Sequence, residues 1–148
     1  MIKKLIPTAM LSLLLMCSVA SCEKVDHESI VPQFSSISCS PAQHKAGDSI
    51  IVVAHQMVIG KLINATTYKW SFTYTNPRTY TDTTVVKTEK VIYDITPTDP
   101  MMGFRLPAGI PRSTFTVTIQ ANYSLSGQTA AGQIYGSASK SGHFNVWE

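Results

Sequence analysis

The chain contains histidine and aspartate, the side chains that most often bind metals or transfer protons. Four histidines are scattered along it: His27, His44, His55 and His143. They show no His-x-His or His-x-x-x-His spacing and have no cysteine partner, so a zinc site would have to be assembled entirely by folding. Asp94 and Asp99 flank Thr96-Pro97, where they suit either a calcium site or a turn before proline. We favour the turn, and expect no metal site and no cofactor.

One motif suggests a serine nucleophile. Ser137-Ala-Ser-Lys140 matches the Ser-x-x-Lys motif of the serine penicillin-recognising enzymes, and Lys140-Ser-Gly142 is similar to their Lys-Thr-Gly element. In that family a helical turn brings the lysine to the serine oxygen. Here the motif lies in a segment with a β pattern, and the companion motif is missing. We interpret the match as chance and expect no catalytic residues, so the chain is not expected to be an enzyme.

The N-terminus has the layout of a secretory signal peptide. Lys3 and Lys4 form a short basic head, Leu5 to Met16 is an apolar stretch, and small residues follow. The basic head stays on the cytoplasmic side while the apolar stretch enters the translocon. A transmembrane helix is the alternative, but the stretch falls short of the roughly 20 residues that a bilayer demands. We expect residues 1–21 to be a cleaved signal peptide.

The end of this segment, Val19-Ala20-Ser21-Cys22, resembles the lipobox of bacterial lipoproteins, in which a small residue precedes the cysteine that receives the lipid. The resemblance implies a diacylglycerol on the Cys22 sulfur, cleavage after Ser21, and an acyl chain such as palmitate on the new amine. Two or three acyl chains anchor a protein lastingly, whereas one gives only marginal binding. The resemblance therefore implies a protein held on a membrane without spanning it.

Residues 22–33 comprise the lipidated cysteine and a polar tether. At about 3.3 Å per residue, 11 residues could hold a domain up to ~36 Å from the lipid. Glu23, Asp26 and Glu28 around Lys24 resemble the charged motif that routes some Gram-negative lipoproteins to the cell surface. A solvated linker, kept extended by its charges, explains the same residues. The periplasmic and external faces of the outer membrane both stay open.

Cys39 is the thiol that would remain in the mature domain. Cys17 leaves with the signal peptide and Cys22 carries lipid, so no intrachain disulfide is expected. Ser36 to Ser40 alternates polar and apolar residues, which places Cys39 on the same face as Ile37. We expect a buried, inert thiol rather than an exposed reactive one.

From Phe34 onward the pattern is β throughout. Ile50 to Ala54 is a β-branched run typical of a buried strand. Tyr68 to Tyr74 and Phe115 to Tyr123 alternate apolar with polar residues, which predicts strands with one dry and one wet face. The aromatic face of the first of these is expected to be core. Further strands are expected near residues 84–92, 103–106 and 131–147.

Residues 34–148 predict an antiparallel β-sandwich of about seven strands. The pattern resembles immunoglobulin-like and PKD-like domains, because Tyr68-Lys-Trp70-Ser-Phe72 matches their strand with a central tryptophan and Phe115 to Tyr123 matches the penultimate strand. The immunoglobulin cysteine pair is absent, and Thr73 to Asn76 stands where PKD domains have an Asp-rich turn. We expect an all-β, immunoglobulin-like sandwich, with a small antiparallel barrel as the alternative.

Composition excludes some partners. The 148 residues are 44% hydrophobic and 14% charged, which suits one globular domain. Removal of Lys3 and Lys4 with the signal peptide leaves 10 Lys and Arg against 9 Asp and Glu. This near-neutral balance lacks the excess of positive charge that nucleic-acid binding requires, so we expect no nucleic acid as a partner.

Two tyrosines are the candidate ligand-binding residues. Tyr80, beside Arg78, is expected in a loop, and Tyr135, two residues from Gln133, on a terminal strand. An exposed ring can stack on the apolar face of a sugar while neighbouring polar groups bond its hydroxyls; the alternative is that the rings only cover the sandwich ends. Two functions stay open: a non-catalytic surface module that binds glycan or protein, and an assembly subunit whose edge strands pair with a partner chain.

Overall fold

The computed structural model describes residues 29–92, 98–129 and 132–147, without the side chains of residues 126–129 and 132–134. Its strands, β1 to β8 in chain order, are Gln33–Ser40, His44–Lys45, Ser49–Val58, Ile63–Thr75, Asp82–Ile92, Met101–Arg105, Thr114–Thr129 and Gly132–Trp147. No residue in these described ranges is helical, which confirms the prediction of an all-β fold. The three further strands expected from the sequence correspond to β5, β6 and β8.

The strands form two sheets. The three-stranded sheet has the order β1-β3-β6, and the five-stranded sheet has the order β2-β8-β7-β4-β5. Neighbours are antiparallel, except that the short β2 runs parallel to β8. The architecture is sandwich-like, with eight strands described where about seven were expected.

The core lies where the alternating strands β4 and β7 meet the three-stranded sheet. Trp70 and Val117 are fully buried, and Phe72 is 1% exposed. Phe72 stacks on Phe104 of β6, with ring centroids 4.1 Å apart and an interplanar angle of 11°. This contact joins the two sheets, and it confirms that the aromatic face of β4 is core.

The burial of the β-branched strand β3 differs from the prediction. Ile50, Val52 and Ala54 are buried, but Ile51 between them is 52% exposed. The outward face of the three-stranded sheet has no covering layer in the described structure, so a strand within it can bury only alternate residues. The expectation of a buried strand was therefore right for one face of β3 and wrong for the other.

The chain enters the domain beside the first residues of β4. Ile30 and Lys61 exchange backbone hydrogen bonds of 3.1 and 3.0 Å, and Pro32 is fully buried. Val31 lies against Gly136 of β8, where a Cβ atom would come within 2.5 Å of a Val31 methyl group. We call this end of the sandwich the entry end. Residues 1–21, which we expect to be a signal peptide, lie outside the described residues, as do Cys22 and His27. Within the described residues no helix is long and apolar enough to cross a membrane.

Cys39 and Ile37 both face inward and are half-buried against the core, as the alternation in β1 predicted. Burial raises the pKa of the Cys39 thiol from 9.0 to about 11, because the low-dielectric surroundings disfavour the thiolate. The thiolate is the reactive form, so this environment makes Cys39 a poor nucleophile at neutral pH.

Alkylation of Cys39 tests this environment. At pH 8 a pKa of about 11 instead of 9.0 lowers the thiolate fraction roughly 100-fold. We expect iodoacetamide to modify Cys39 about 100-fold more slowly in the folded chain than in denaturant. The folded-state rate should keep rising with pH up to about 11. Mass spectrometry of the Cys39 peptide measures both rates, and equal rates at pH 8 would mean that the thiol is exposed.

Candidate functional site

The outward face of the five-stranded sheet is broad and rich in hydroxyl and amide groups. Alternate residues of four adjacent strands form it, and most are serine, threonine, asparagine or glutamine. From β8 to β5 its rows are Tyr135–Ser124–Ala65–Ile92, Ser137–Asn122–Thr67–Lys90, Ser139–Gln120–Lys69–Thr88, Ser141–Thr118–Ser71–Val86 and His143–Thr116–Thr73–Thr84. We call this surface the polar face. Its few charges leave hydrogen bonding as its main chemistry.

Far from the entry end, the polar face satisfies its own hydrogen-bonding groups. Thr118 and Ser141 pair their hydroxyls at 2.8 Å, and Thr73 and Thr84 do so at 2.9 Å. Such cross-strand pairs stabilise the sheet and hold the side chains in place. This half of the polar face therefore has few hydrogen-bond donors and acceptors left to bind a ligand.

Near the entry end the polar face dips into a shallow depression of about 320 Å³. Its lining residues are Ala65, Thr67, Lys90, Asn122, Tyr123, Ser124 and Tyr135. We call it the Tyr135 depression, because the Tyr135 ring stands at its side and is 73% exposed. Tyr135 lies on the terminal strand β8, as expected, and the depression has the size of a small-molecule site.

Polar groups surround the exposed ring. Lys90 contributes a positive charge with three donors, Asn122 an amide that both donates and accepts, and Thr67 a hydroxyl. Among the described residues, none supplies a hydrogen-bond partner to the side chains of these three. The arrangement thus combines an aromatic platform with available donors and acceptors, which are the two elements that recognise a sugar ring.

Tyr80 lies in the loop between β4 and β5, as expected, and is 80% exposed. The loop is held by Asn76, whose backbone N–H donates to the Thr81 carbonyl at 2.8 Å and whose carbonyl accepts from the Tyr80 N–H at 2.9 Å. Tyr80 has φ of 56°, an uncommon conformation for a non-glycine residue. The side-chain oxygen of Asn76 also accepts from the Arg78 N–H at 2.9 Å.

The structure does not bring the two candidate tyrosines together. Tyr135 lies in the row of Ala65, at one end of β4, whereas the Tyr80 loop follows Thr75 at the other end. Ten residues of strand separate these positions, or about 33 Å at the usual rise. They cannot contact one small ligand, so each must be considered as a separate site. The side chain of Gln133 lies outside the described residues.

A second depression, of about 310 Å³, lies at the far end of β8 and was missed by the sequence analysis. Trp147, 43% exposed, contributes its ring, and Asn145, Thr114 and Ser113 contribute polar groups. The Arg112 guanidinium lies over the ring, 5.6 Å from its centroid. Because a cation already occupies one ring face, Trp147 is less available for stacking than Tyr135.

The other candidates for chemistry are separated by the fold. Ser137 and Lys140 lie three residues apart on β8, so their side chains point to opposite faces of the sheet. His44 is buried beside Phe115 and Phe144, and His143 bonds to Thr116 on the polar face. No group of three metal-binding side chains occurs within the described residues. Asp94 lies outside them.

His55 and Asp99 do meet, in a contact that their sequence spacing gave no sign of. His55 Nδ1 lies 3.0 Å from an Asp99 carboxylate oxygen, and His55 Nε2 lies 2.7 Å from the Ser38 hydroxyl. The three residues belong to β3, to the segment before β6, and to β1. They lie on the outward face of the three-stranded sheet, away from the Tyr135 depression.

No protein-family model matches the chain. Searches of curated proteins and of solved structures find no match either. The chemistry of each site therefore rests on its own side chains.

The sequence could have identified the polar face but not its depression. The alternation in β4 and β7 already assigns Thr67 and Asn122 to a wet face. Their neighbours Lys90 and Tyr135 come from β5 and β8, and strand register determines that these residues meet. The Ser38–His55–Asp99 contact likewise spans three separate chain segments, so no spacing rule would have revealed it.

Proposed function

We propose that this protein is a lipid-anchored module of the bacterial cell envelope that binds saccharide at the Tyr135 depression. The single observation that carries the binding function is Tyr135, 73% exposed, beside Thr67, Asn122 and Lys90, whose side chains have no hydrogen-bond partner among the described residues. Such a ring would stack on the C–H face of a sugar, while Asn122, Thr67 and Lys90 bond its hydroxyls. Lys90 would also favour a saccharide that bears a carboxylate or phosphate.

An immunoglobulin-like domain is the proposed scaffold. In that fold one sheet includes strands A, B and E and the other C, F and G, with a buried tryptophan on strand C. The order β1-β3-β6 corresponds to A-B-E, and β8-β7-β4 corresponds to G-F-C. Trp70 on β4 then occupies the place of the strand C tryptophan and is fully buried. The strand order supports the family resemblance, although the immunoglobulin cysteines are missing.

The anchor and the depression would lie at the same end of the domain. The lipobox pattern at Cys22 supports an anchor, and the chain enters beside Gly136, next to Tyr135. The seven residues from Glu23 to Ser29 span at most about 25 Å when fully extended. The depression would therefore stay close to the membrane surface, which favours a saccharide of the envelope itself as the ligand.

A glycan array tests the binding function. The full-length chain, purified in mild detergent, should bind a defined subset of glycans. The Tyr135→Ala variant should lose at least about 10-fold in affinity, because ring stacking contributes on the order of 1.5 kcal/mol. Its melting temperature should not change, since the ring is exposed.

Tyr80→Ala is the matched control, since it removes a similarly exposed tyrosine at the other end of β4, about 33 Å along the strand. It should bind as the wild type does. If Tyr80→Ala loses binding while Tyr135→Ala retains it, the site is the β4–β5 loop instead. If wild-type protein binds no glycan, the saccharide proposal is wrong.

Assembly through an edge strand is the second candidate function. β5 is an 11-residue strand at the end of the five-stranded sheet, and Val86 and Ile92 on it are 49% and 76% exposed. A partner strand could extend the sheet there, although Lys87, Glu89 and Lys90 also suit an edge protected by charge. A photo-crosslinker at Val86 that captures one discrete protein in cells, together with a silent glycan array, would favour this function.

A further inference from the structure

We propose that Ser38 is an activated nucleophile that accepts acyl groups from esters, with His55 as its general base and Asp99 as the residue that positions His55. This inference goes beyond saccharide binding and concerns the opposite sheet. It also departs from the expectation that the chain has no catalytic chemistry. It rests on three side chains that are hydrogen-bonded in series, in the order hydroxyl, imidazole and carboxylate that a nucleophilic serine requires.

The distances assign a role to each group. Asp99 accepts at His55 Nδ1 over 3.0 Å, and because a carboxylate can only accept, Nδ1 carries the imidazole proton. In the neutral ring Nε2 then bears the lone pair and accepts from the Ser38 hydroxyl over 2.7 Å. This is the tautomer that removes a proton from serine as its oxygen attacks.

Contacts around the chain of three hold it in this geometry. The second carboxylate oxygen of Asp99 accepts from the Gln56 backbone N–H at 2.9 Å, and the Gln56 amide donates to the Thr98 carbonyl at 3.0 Å. The Ser35 hydroxyl donates to the His55 carbonyl at 3.2 Å. A further bond thus fixes the Asp99 carboxylate and another fixes the backbone of His55, and two of the three residues, Ser38 and His55, lie on strands.

A comparison within the molecule shows what is particular here. His143 also bonds to a hydroxyl, that of Thr116, at 3.0 Å. That bond uses Nδ1, and no carboxylate in the described residues lies within ion-pair distance of His143. A hydroxyl–imidazole pair alone is ordinary surface chemistry. Among the described serines and threonines, only Ser38 is hydrogen-bonded to a base that is itself hydrogen-bonded to a carboxylate.

The surroundings of Ser38 suit an apolar acyl group. Ser38 is exposed, so a substrate carbonyl can reach its oxygen. In the sheet Ser38 pairs with Val53, and Val53 pairs with Met101 on its other side. Met101 is 59% exposed and the neighbouring Ile51 52%. These side chains form an apolar strip beside the hydroxyl, against which a short aliphatic chain would pack.

The acyl transfer proceeds in two balanced steps. Ser38 Oγ bonds to the ester carbonyl carbon while its proton passes to His55 Nε2, the bond to the leaving alcohol breaks, and His55 returns the proton to that alcohol. Water then adds to the acyl carbon with its proton on His55, and Ser38 leaves and recovers a proton. Ester and water become acid and alcohol. Because Ser38 lies on an open sheet, we expect rapid acylation of one serine and slow release.

Labelling of the full-length protein with p-nitrophenyl butyrate tests the proposal. We expect a burst of about one p-nitrophenol per chain and a butyryl group on the Ser38 peptide in the mass spectrum. Ser38→Ala should abolish both. His55→Gln should slow the burst by at least about 100-fold, because the serine loses its base. Ser36→Ala, on the same strand and opposite His55, is the control and should react as the wild type does.

The test of Asp99 must separate its positioning of His55 from any contribution to folding. Asp99→Asn should slow the burst about 100-fold or more, because its amide favours the wrong imidazole tautomer. Asp99→Glu, which keeps a carboxylate, should restore part of the rate at the same melting temperature. The proposal is overturned if wild-type Ser38 stays unmodified, if the label falls only on other residues, or if His55→Gln and Asp99→Asn react at the wild-type rate.

Discussion

Replacing Trp70 with alanine is expected to destabilise the domain by about 3–5 kcal/mol. Trp70 is fully buried between the two sheets. Its removal leaves a cavity that the strands around it cannot close. For a domain of this size the loss corresponds to a fall in melting temperature of roughly 10–20 °C. Thermal unfolding of the full-length chain, followed by circular dichroism, measures it.

Lys69→Ala provides the matched control. Lys69 precedes Trp70 on β4 but is exposed on the polar face, so its truncation should change stability by no more than about 0.5 kcal/mol. A Trp70→Ala melting temperature within a degree or two of the control would contradict the core that we describe. It would also turn Trp70 into a candidate for ligand binding.

Replacing Cys22 with alanine is expected to abolish lipidation. The protein should disappear from the outer-membrane fraction, lose incorporation of labelled palmitate, and accumulate as an unprocessed precursor of higher mass. The reason is that the Cys22 sulfur is the atom that would receive the diacylglycerol, and without acyl chains no lasting anchorage is possible. Membrane fractionation, palmitate labelling and mass spectrometry of the N-terminal peptide measure the three effects.

Cys17→Ala is the control for this experiment, since Cys17 is a cysteine of the same segment outside the lipobox pattern. It should be lipidated, cleaved and sorted as the wild type is. A Cys22→Ala protein that reaches the outer-membrane fraction at its mature size would show that the lipoprotein resemblance is misleading.

The sequence predicted those parts of the fold that depend on local alternation. From Tyr68 to Tyr74 in β4 and from Phe115 to Tyr123 in β7 every second residue is apolar, and Trp70 and Phe115 are buried as that pattern requires. The same rule failed in β3, where Ile51 is as apolar as its buried neighbours but faces outward. Residue type alone could not reveal that no described part of the chain covers the outward face of the three-stranded sheet.

Contacts between distant segments could not be predicted from the sequence for a different reason. Tyr135 lies on the terminal strand β8 and is exposed, as its place in the sequence predicted, whereas its binding role stays a prediction. That Lys90 and Asn122 lie beside it depends on the register of β5, β4, β7 and β8. Shifting any of these strands by one residue would turn its side chains to the other face. Asp99 and His55 are 44 residues apart in the sequence, and only the fold brings them within 3.0 Å.

The most direct test of the binding account compares Tyr135→Phe with Tyr135→Ala. Both variants of the full-length chain are titrated by calorimetry with the glycan that the array identifies. Phenylalanine keeps the ring and loses only the hydroxyl, so stacking predicts an affinity within about 3-fold of wild type, against a loss of at least about 10-fold for alanine. If Tyr135→Phe and Tyr135→Ala lose affinity equally, or if neither does, ring stacking at the Tyr135 depression is not how this protein binds.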